Sequence, residues 1–400
     1  MTGAKKRALL LTHRIPYPPN KGDKIRSWHL TKFLAERYDL ALGTFIDDPS
    51  DAIHTDVLEN LCAATCIRPL GAMQGRWRSL KGLMKGQPLS FAWYEDELMR
   101  SFVARERAKG LVAEIYFSGA MTIYADGAEA PLFVDMVDAD SAKWQSYAAD
   151  GLPFMRSLHR REARKVAVAE TRAAQLSEKT FLVSPEEADL LKETAGMPQE
   201  RVDWYRNGID LSFWNPDGEF PHLTHPFDIV FTGAMDYRPN ADAVIWFVRE
   251  VWPQLKHQHP TLTFGIIGRD PTGPVRKLGM EPGVTVTGRV DDIRPFMADA
   301  QLAVAPLRIA RGVQNKVLEA MAMGVPVVAS SGALTGISVT PGEHLLEANS
   351  AEETATKVLE LLGDPEMRRR LGEAGRTLMQ DEYRWEAVLG RIAAHLPPGK

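Results

Sequence analysis

The sequence is short of the features that mark several protein classes. It has only two cysteines in 400 residues, Cys62 and Cys66. They build no disulfide framework, and their spacing without a second Cys or His pair is a poor zinc signal. They read as reduced thiols, as in a cytosolic protein. No apolar run approaches the roughly 18 residues that a bilayer span needs. Two lysines and an arginine precede the apolar residues 8–12, a run too short for a signal peptide. The net charge of −4 gives no general case for nucleic-acid binding. The first strand–loop–helix lacks Gly-x-Gly-x-x-Gly, so dinucleotide binding is not indicated.

What is present is an alternation of short apolar strands with helical patterns. Strands are expected at 8–12, 39–45, 114–117, 131–134, 181–183, 202–205, 228–231, 262–267, 284–286 and 325–329. Ser184-Pro185-Glu186-Glu187 and Ser350-Ala351-Glu352-Glu353 are helix starts, with a Ser cap and early acids. Length and alternation together predict two doubly wound, Rossmann-like α/β domains facing a cleft. The expected bounds are 1–206, a linker at 207–227, a second domain at 228–380, and a closing helix at 381–400 that returns toward the first domain.

The most informative stretch is 305–329. It reads as a strand end, a basic loop, a helix from about Val313 to Met323, a stop at Gly324 and a second apolar strand. A helix that opens just after Gly312 points its free N–H groups at that loop, which suits a diphosphate. Lys316 and Glu319 lie three apart on one helix face. A cation near a helix start opposes the helix dipole unless an anion sits there. Glu319 is placed to accept hydrogen bonds from vicinal hydroxyls, as a ribose presents. A solvated Lys–Glu pair on an ordinary helix fits these residues equally well.

The run Lys316-Val317-Leu318-Glu319-Ala320-Met321-Ala322-Met323-Gly324-Val325-Pro326-Val327-Val328 resembles the donor-site signature of retaining glycosyltransferases of the GT-B fold, the group 1 or family-four class. The resemblance implies that Glu319 binds the ribose of a nucleotide sugar. Many members carry another Glu eight positions earlier, facing the transferred sugar; here that position is Arg311. Asn207-Gly208-Ile209-Asp210 resembles the element where the chain crosses between domains. Gly233, after the strand at 228–231, resembles the diphosphate loop; Ala234 takes an Arg-like place and leaves Arg238 as the positive group. Gly268 and Arg289 end two further strands, the second in a segment that resembles the part receiving the base. The donor-binding set is therefore Gly233, Arg238, Gly268, Arg289, Arg311, Gly312, Lys316 and Glu319. The combination of Asp135-x-x-Asp-x-Asp-Ser-x-Lys-Trp, Phe-Thr-Gly-x-Met-Asp-Tyr-x-Pro-Asn and Arg-Gly-Val-Gln-Asn-Lys-Val-Leu-Glu looks more narrowly like the sugar transferases of PEP-CTERM/exosortase exopolysaccharide systems.

In the first half, the Pro-rich loop 13–23 resembles the first cleft-facing loop of GT-B enzymes, with Gly22 at its turn and Asp23 capping the next helix. Lys21, Lys24 and Arg26 either meet an acceptor phosphate or are solvated helix-start cations. Asp138-Ala139-Asp140 matches a metal motif of another glycosyltransferase fold, but two acids at that spacing recur by chance, and no metal is expected. Asp138 is expected to face the cleft from a strand end, positioning the transferred sugar, while Asp140 or Ser141 caps a helix. Residues 61–94 hold five basic side chains and no acid. The helical spacing of Trp77, Leu80, Leu83 and Met84 there suits either an anionic membrane surface or packing on its own domain. The long Arg-rich pattern at 153–178 suits a solvated or membrane-facing helix better than nucleic acid.

The resemblance implies a cytoplasmic enzyme that could work at the inner face of the membrane and needs no cofactor. It would move a sugar from a nucleoside-diphosphate sugar to a saccharide or lipid-linked saccharide, with Asp138, Lys316 and Glu319 as catalytic residues. Two other readings fit the same residues: a nucleotide-sugar epimerase of this fold, and a donor-binding assembly component without turnover.

Overall fold

The computed structural model describes residues 4–400 apart from 72–74, 76, 77, 79–81, 85, 151, 152 and 310–312. The chain forms two units: Met1–Asn207 with Val388–Lys400, and Gly208–Ala387. The segment expected as a linker thus belongs to the second unit, where Trp214 is buried in the core. The closing helix, Trp385–Ala393, is divided between the two units. Its first residue, Trp385, packs on the backbone of Gly208 within the second unit.

The first unit holds seven strands: β1 (Arg7–Thr12), β2 (Asp39–Ile46), β3 (Ala64–Pro69), β4 (Ala113–Phe117), β5 (Leu132–Val137), β6 (Lys179–Leu182) and β7 (Val202–Trp204). They pair in parallel in the order β3-β2-β1-β4-β5-β6-β7. The second unit has β8 (Ile229–Thr232), β9 (Phe264–Ile267), β10 (Val284–Gly288), β11 (Leu302–Ala305), β12 (Val327–Ala329) and β13 (Leu346–Glu347), parallel in the order β10-β9-β8-β11-β12-β13. Strands buried along nearly their whole length, such as Leu9–Leu11 and Ile229–Phe231, are what a parallel sheet covered on both faces requires. In each sheet the strand order reverses between the first and fourth strands, β1/β4 and β8/β11. Loops leaving those carboxyl ends diverge and open a crevice.

Capping follows the expected chemistry at several ends. Ser184 accepts from the Glu187 N–H at the start of the helix Pro185–Ala195, and Ser350 from the Glu353 N–H at the start of Ala351–Gly363. Asp292 accepts from the Arg294 N–H before the helix Arg294–Ala298. Gly324 takes φ +70 after the helix that ends at Ala322, as a chain reversal there demands.

β5 runs three residues further than its apolar pattern suggests, through Asp135, because that carboxylate is neutralised in the core. Asp135 takes Arg26 at both oxygens, 2.9 Å and 3.1 Å, and accepts the Tyr205 hydroxyl. Arg26 also donates to the Tyr205 carbonyl at 2.9 Å and to Asn207 Oδ1 at 3.1 Å, with its guanidinium 3.5 Å from the Tyr205 ring centre. Arg26 and Asp135 are each 1% exposed. A buried pair left with one member is strongly destabilised, whereas apolar replacement of both is tolerated far better. Arg26→Leu alone is therefore expected to cost roughly 3–5 kcal/mol in urea unfolding, and Arg26→Leu with Asp135→Leu to recover much of that loss. A single variant within about 1 kcal/mol of wild type would show that the pair holds nothing.

Candidate functional site

In the second unit, the loop after β8 and the helix after β11 meet at the strand-order reversal. Gly233, with φ +150, begins the β8 loop; its N–H donates to the Ile267 carbonyl, and Met235 N–H donates to Arg269. Gly268, with φ +154, stands directly behind it: a Cβ there would lie 1.7 Å from the Gly233 carbonyl oxygen. The two strand ends therefore share a space that only glycines fit. Asn240, on the helix Arg238–Trp246 and 5% exposed, donates to the Ala234 carbonyl at 2.9 Å and holds the loop's far side.

The helix after β11 spans Asn315–Ala322, two residues later than its expected start. Gln314 occupies its N-cap position in extended geometry, with no side-chain cap bond. Lys316 therefore lies at the second helical position. Its ammonium donates to Asn240 Oδ1 at 2.8 Å and lies 5.2 Å from the Phe231 ring centre. Burial lowers its pKa to about 8, while the Glu319 charge works the other way. Burial likewise raises Glu319 to about 7, against the pull of Lys316. Both groups border a cavity of about 340 Å³ lined by Trp214, Thr232, Gly233, Ile293, Val313, Asn315, Lys316 and Glu319.

The expected donor residues divide accordingly. Gly233, Lys316 and Glu319 come together at this cavity, and Gly268 backs it. Arg238 and Arg289 are exposed and do not line it. Arg311 and Gly312 lie outside the described residues. Asn240 was not singled out from the sequence, where it falls in the opening turn of a helix expected from about Pro239. Its role as the amide that joins Lys316 to the β8 loop follows from a helix register that only the fold supplies.

In the first unit the acceptor-side residues are placed differently from expectation. The helix Gly22–Arg37 starts at Gly22, where a Cβ would meet nothing within 4 Å, so no close turn requires that glycine. Asp23 lies inside the first turn and pairs with His13 at 3.3 Å and Arg14 at 2.8 Å. Burial opposes ionisation there, but the bond and charge of His13 and Arg14 hold the carboxyl well below the ordinary range. Lys24 is fully buried on Asp51 at 2.6 Å and Arg26 on Asp135, so neither is free for an acceptor phosphate. Lys21 is exposed, 3.8 Å from Asp47.

Asp138 follows a strained turn at the end of β5. Val137 adopts φ +68, rare for a β-branched residue, at an irregularity in the β5–β6 pairing. The turn is held by the Val137 N–H on Asp135 Oδ1 at 3.1 Å and by the Val183 N–H on the Val137 carbonyl at 2.7 Å. Asp138 as a residue is exposed, yet its carboxyl is pushed up to about 6, by burial first and then by Glu187 and Asp140. The N–H groups opening the helix Asp140–Asp150 are met by carboxylates from elsewhere, rather than by Asp140 or Ser141: Glu187 takes Ala139 at 2.7 Å and Glu170 takes Ser141 at 3.1 Å. Among the described residues no group of His, Cys, Asp or Glu is arranged to hold a metal ion. Trp77, the centre of the basic amphipathic segment, lies outside the described residues.

Residues 226–364 match the family profile "Glycosyl transferases group 1". One curated relative, the MMP alpha-(1->4)-mannosyltransferase of Mycolicibacterium hassiacum, is 32% identical over 134 residues, 31% of this chain and 32% of that protein. A second, the GDP-mannose-dependent alpha-(1-6)-phosphatidylinositol monomannoside mannosyltransferase of Mycobacterium tuberculosis, is 29% identical over 227 residues, 50% of this chain and 56% of that protein. The chain thus spans no more than about half the length of these relatives. Among solved structures, sucrose-phosphate synthase from Thermosynechococcus elongatus superposes with a TM-score of 0.68 at 18% identity, covering 98% of this chain and 99% of that one. The fold is GT-B, with two Rossmann-like units.

The titrations of Lys316 and Glu319 predict a distinctive stability profile. Glu319 binds its proton more tightly folded than unfolded, so its contribution falls as pH rises from 4.5 to about 7. Lys316 binds its proton less tightly folded, so its contribution recovers only as pH rises from about 8 to 10.5. Relative to the Lys316→Met/Glu319→Gln double variant, wild type should be least stable between those ranges. Urea unfolding of both proteins at about pH 5, 7.5 and 10 reads this directly; a pH-independent difference contradicts it.

Proposed function

We propose that the chain is a glycosyltransferase that moves a sugar from a nucleoside-diphosphate sugar to a hydroxyl. The observation that carries the reading is Lys316: a half-buried cation fixed by Asn240 beside Glu319, at the strand-order reversal of the second sheet. A partly desolvated ammonium needs an anion, and the opening turn of its helix offers N–H groups to the same one. Donor diphosphate oxygens would take both, and Glu319 would accept from ribose hydroxyls. Near pH 7.5 Lys316 is largely charged and Glu319 largely ionised, the states these contacts need.

In the transfer, the bond from the anomeric carbon to the diphosphate oxygen breaks and its electron pair stays with the diphosphate. The acceptor oxygen bonds that carbon, and its proton goes to the departing phosphate oxygen or to solvent. Charge grows on the diphosphate at that moment, where Lys316 and the helix N–H groups would stabilise it. Any part Asp138 takes in holding a sugar needs an ionised carboxylate and hence a pH above about 6. We further propose that the transfer is retaining and runs without a metal ion, and that the protein needs no other cofactor. The name of the Mycobacterium tuberculosis relative makes GDP-mannose the first donor to try.

The acceptor we propose is a saccharide or lipid-linked saccharide of an exopolysaccharide pathway such as the PEP-CTERM type, met at the inner face of the membrane. Leu83 and Met84, 40% and 85% exposed beside the basic segment, support such peripheral contact, as do the exposed Arg156, Arg160 and Arg164 on the helix Pro153–Leu176. No described helix is long and apolar enough to cross a membrane.

Calorimetric titration with GDP-mannose and UDP-glucose tests the site. Lys316→Ala removes a charge-assisted contact and should weaken donor binding roughly 10–100-fold; Glu319→Ala should cost about tenfold. Unchanged affinity in both variants would reject the assignment. With a membrane extract as acceptor, diphosphate release should depend on the extract and persist in excess chelator. Loss that added divalent metal restores would overturn metal independence, and isomerised donor without acceptor would favour an epimerase.

A further inference from the structure

The cavity beside Lys316 has an apolar wall that a diphosphate does not use. Trp214, Ile293 and Val313 supply it. Trp214 comes from the segment ahead of β8, before residue 226 where the family match begins. It is 9% exposed and borders the cavity. Two of the three wall residues are pinned by one clip. Trp214 stands edge-on to Phe213, ring centres 5.2 Å apart at 87°. Arg294, next in sequence to Ile293, lays its guanidinium 4.4 Å from the Phe213 ring centre and 5.4 Å from that of Phe220. Asp292 then fixes that guanidinium, accepting from Nε at 3.0 Å and Nη2 at 2.6 Å. The Phe213–Arg294 contact thus ties together the immediate neighbours of Trp214 and Ile293. Asp210 anchors the other side, its carbonyl taking the Trp214 N–H at 2.8 Å and its carboxylate the Phe213 N–H at 3.2 Å.

A charged phosphate set against an indole edge and an isoleucine would lose hydration without replacement. A nucleobase, or the carbon face of a ribose, gains from the same surface. We infer that this wall receives the nucleoside of the donor, that Trp214 determines the grip on it, and that the Phe213–Arg294–Phe220 clip is the positioning device. This rests on the donor-site reading above and extends it to residues outside the matched region.

The test is titration of the full chain with GDP, UDP and inorganic pyrophosphate, read by calorimetry and by tryptophan fluorescence. Trp214→Ala and Arg294→Ala should each weaken the better-bound nucleotide by roughly tenfold or more while leaving pyrophosphate binding unchanged. Trp214→Phe keeps the wall apolar, so affinity should stay within about threefold while most of the nucleotide-induced fluorescence change disappears. Equal loss of nucleotide and pyrophosphate in Trp214→Ala overturns the inference, as does no loss at all. So does a fluorescence change that survives in Trp214→Phe, a readout that stands even if the alanine variants fail to fold. Lys316→Ala separates the two readings: it must weaken pyrophosphate if the donor site is where we place it, whatever Trp214 does.

Discussion

A lysine ammonium held away from bulk water is expensive, and the second unit is arranged around keeping one there. Desolvation drives the Lys316 ammonium toward neutrality, and among the described residues Asn240, Glu319 and the Phe231 ring resist. Proteins rarely retain such an arrangement for stability, since apolar side chains of similar size pack more favourably. The cost makes sense for a group whose counter-charge arrives with a ligand. The glycine contact between the ends of β8 and β9 packs the adjoining loop closely at the cavity that Lys316 borders.

The first unit handles buried charge in the opposite way. Arg26 and Asp135 satisfy each other completely, with Tyr205 and Asn207 taking the remaining donors and acceptors. Nothing in that cluster waits for a ligand. Its effect is geometric: the carboxylate that holds Arg26 also holds the Val137 N–H, and so fixes the turn from which Asp138 leaves β5. One sheet carries a desolvated lysine beside a glutamate at its carboxyl edge, and the other uses a paired charge to shape its edge.

Much of this was legible in the residue order. Parallel strands announced themselves as uninterrupted apolar runs, Ser184 and Ser350 as caps, and Gly324 as a helix stop. Lys316 and Glu319 stood out because their spacing places both on one helical face. What escaped notice depended on partners far away in sequence. Lys24 and Arg26 look like surface cations until Asp51 and Asp135 are seen beneath them. Asp135 looks like a loop residue until Arg26 arrives. Asn240 matters only because the Arg238–Trp246 helix carries it to Lys316, and Trp214 only because Arg294, 80 positions later, clasps its neighbour. Local pattern records which face a side chain occupies, whereas charge compensation across a sheet leaves no local trace.

The stretch from Gly208 to Phe227 has a practical bearing on how the protein can be divided. It resembles a tether, yet the Ile209 N–H donates to the Tyr383 carbonyl, Asn215 Oδ1 accepts from Arg376, and Trp214 fills the core. A recombinant fragment begun at residue 226, where the family profile starts, would strip Arg294 of both aromatic faces and open the interior to water. The compact unit starts ahead of that profile, and a sensible amino-terminal cut falls at Gly208.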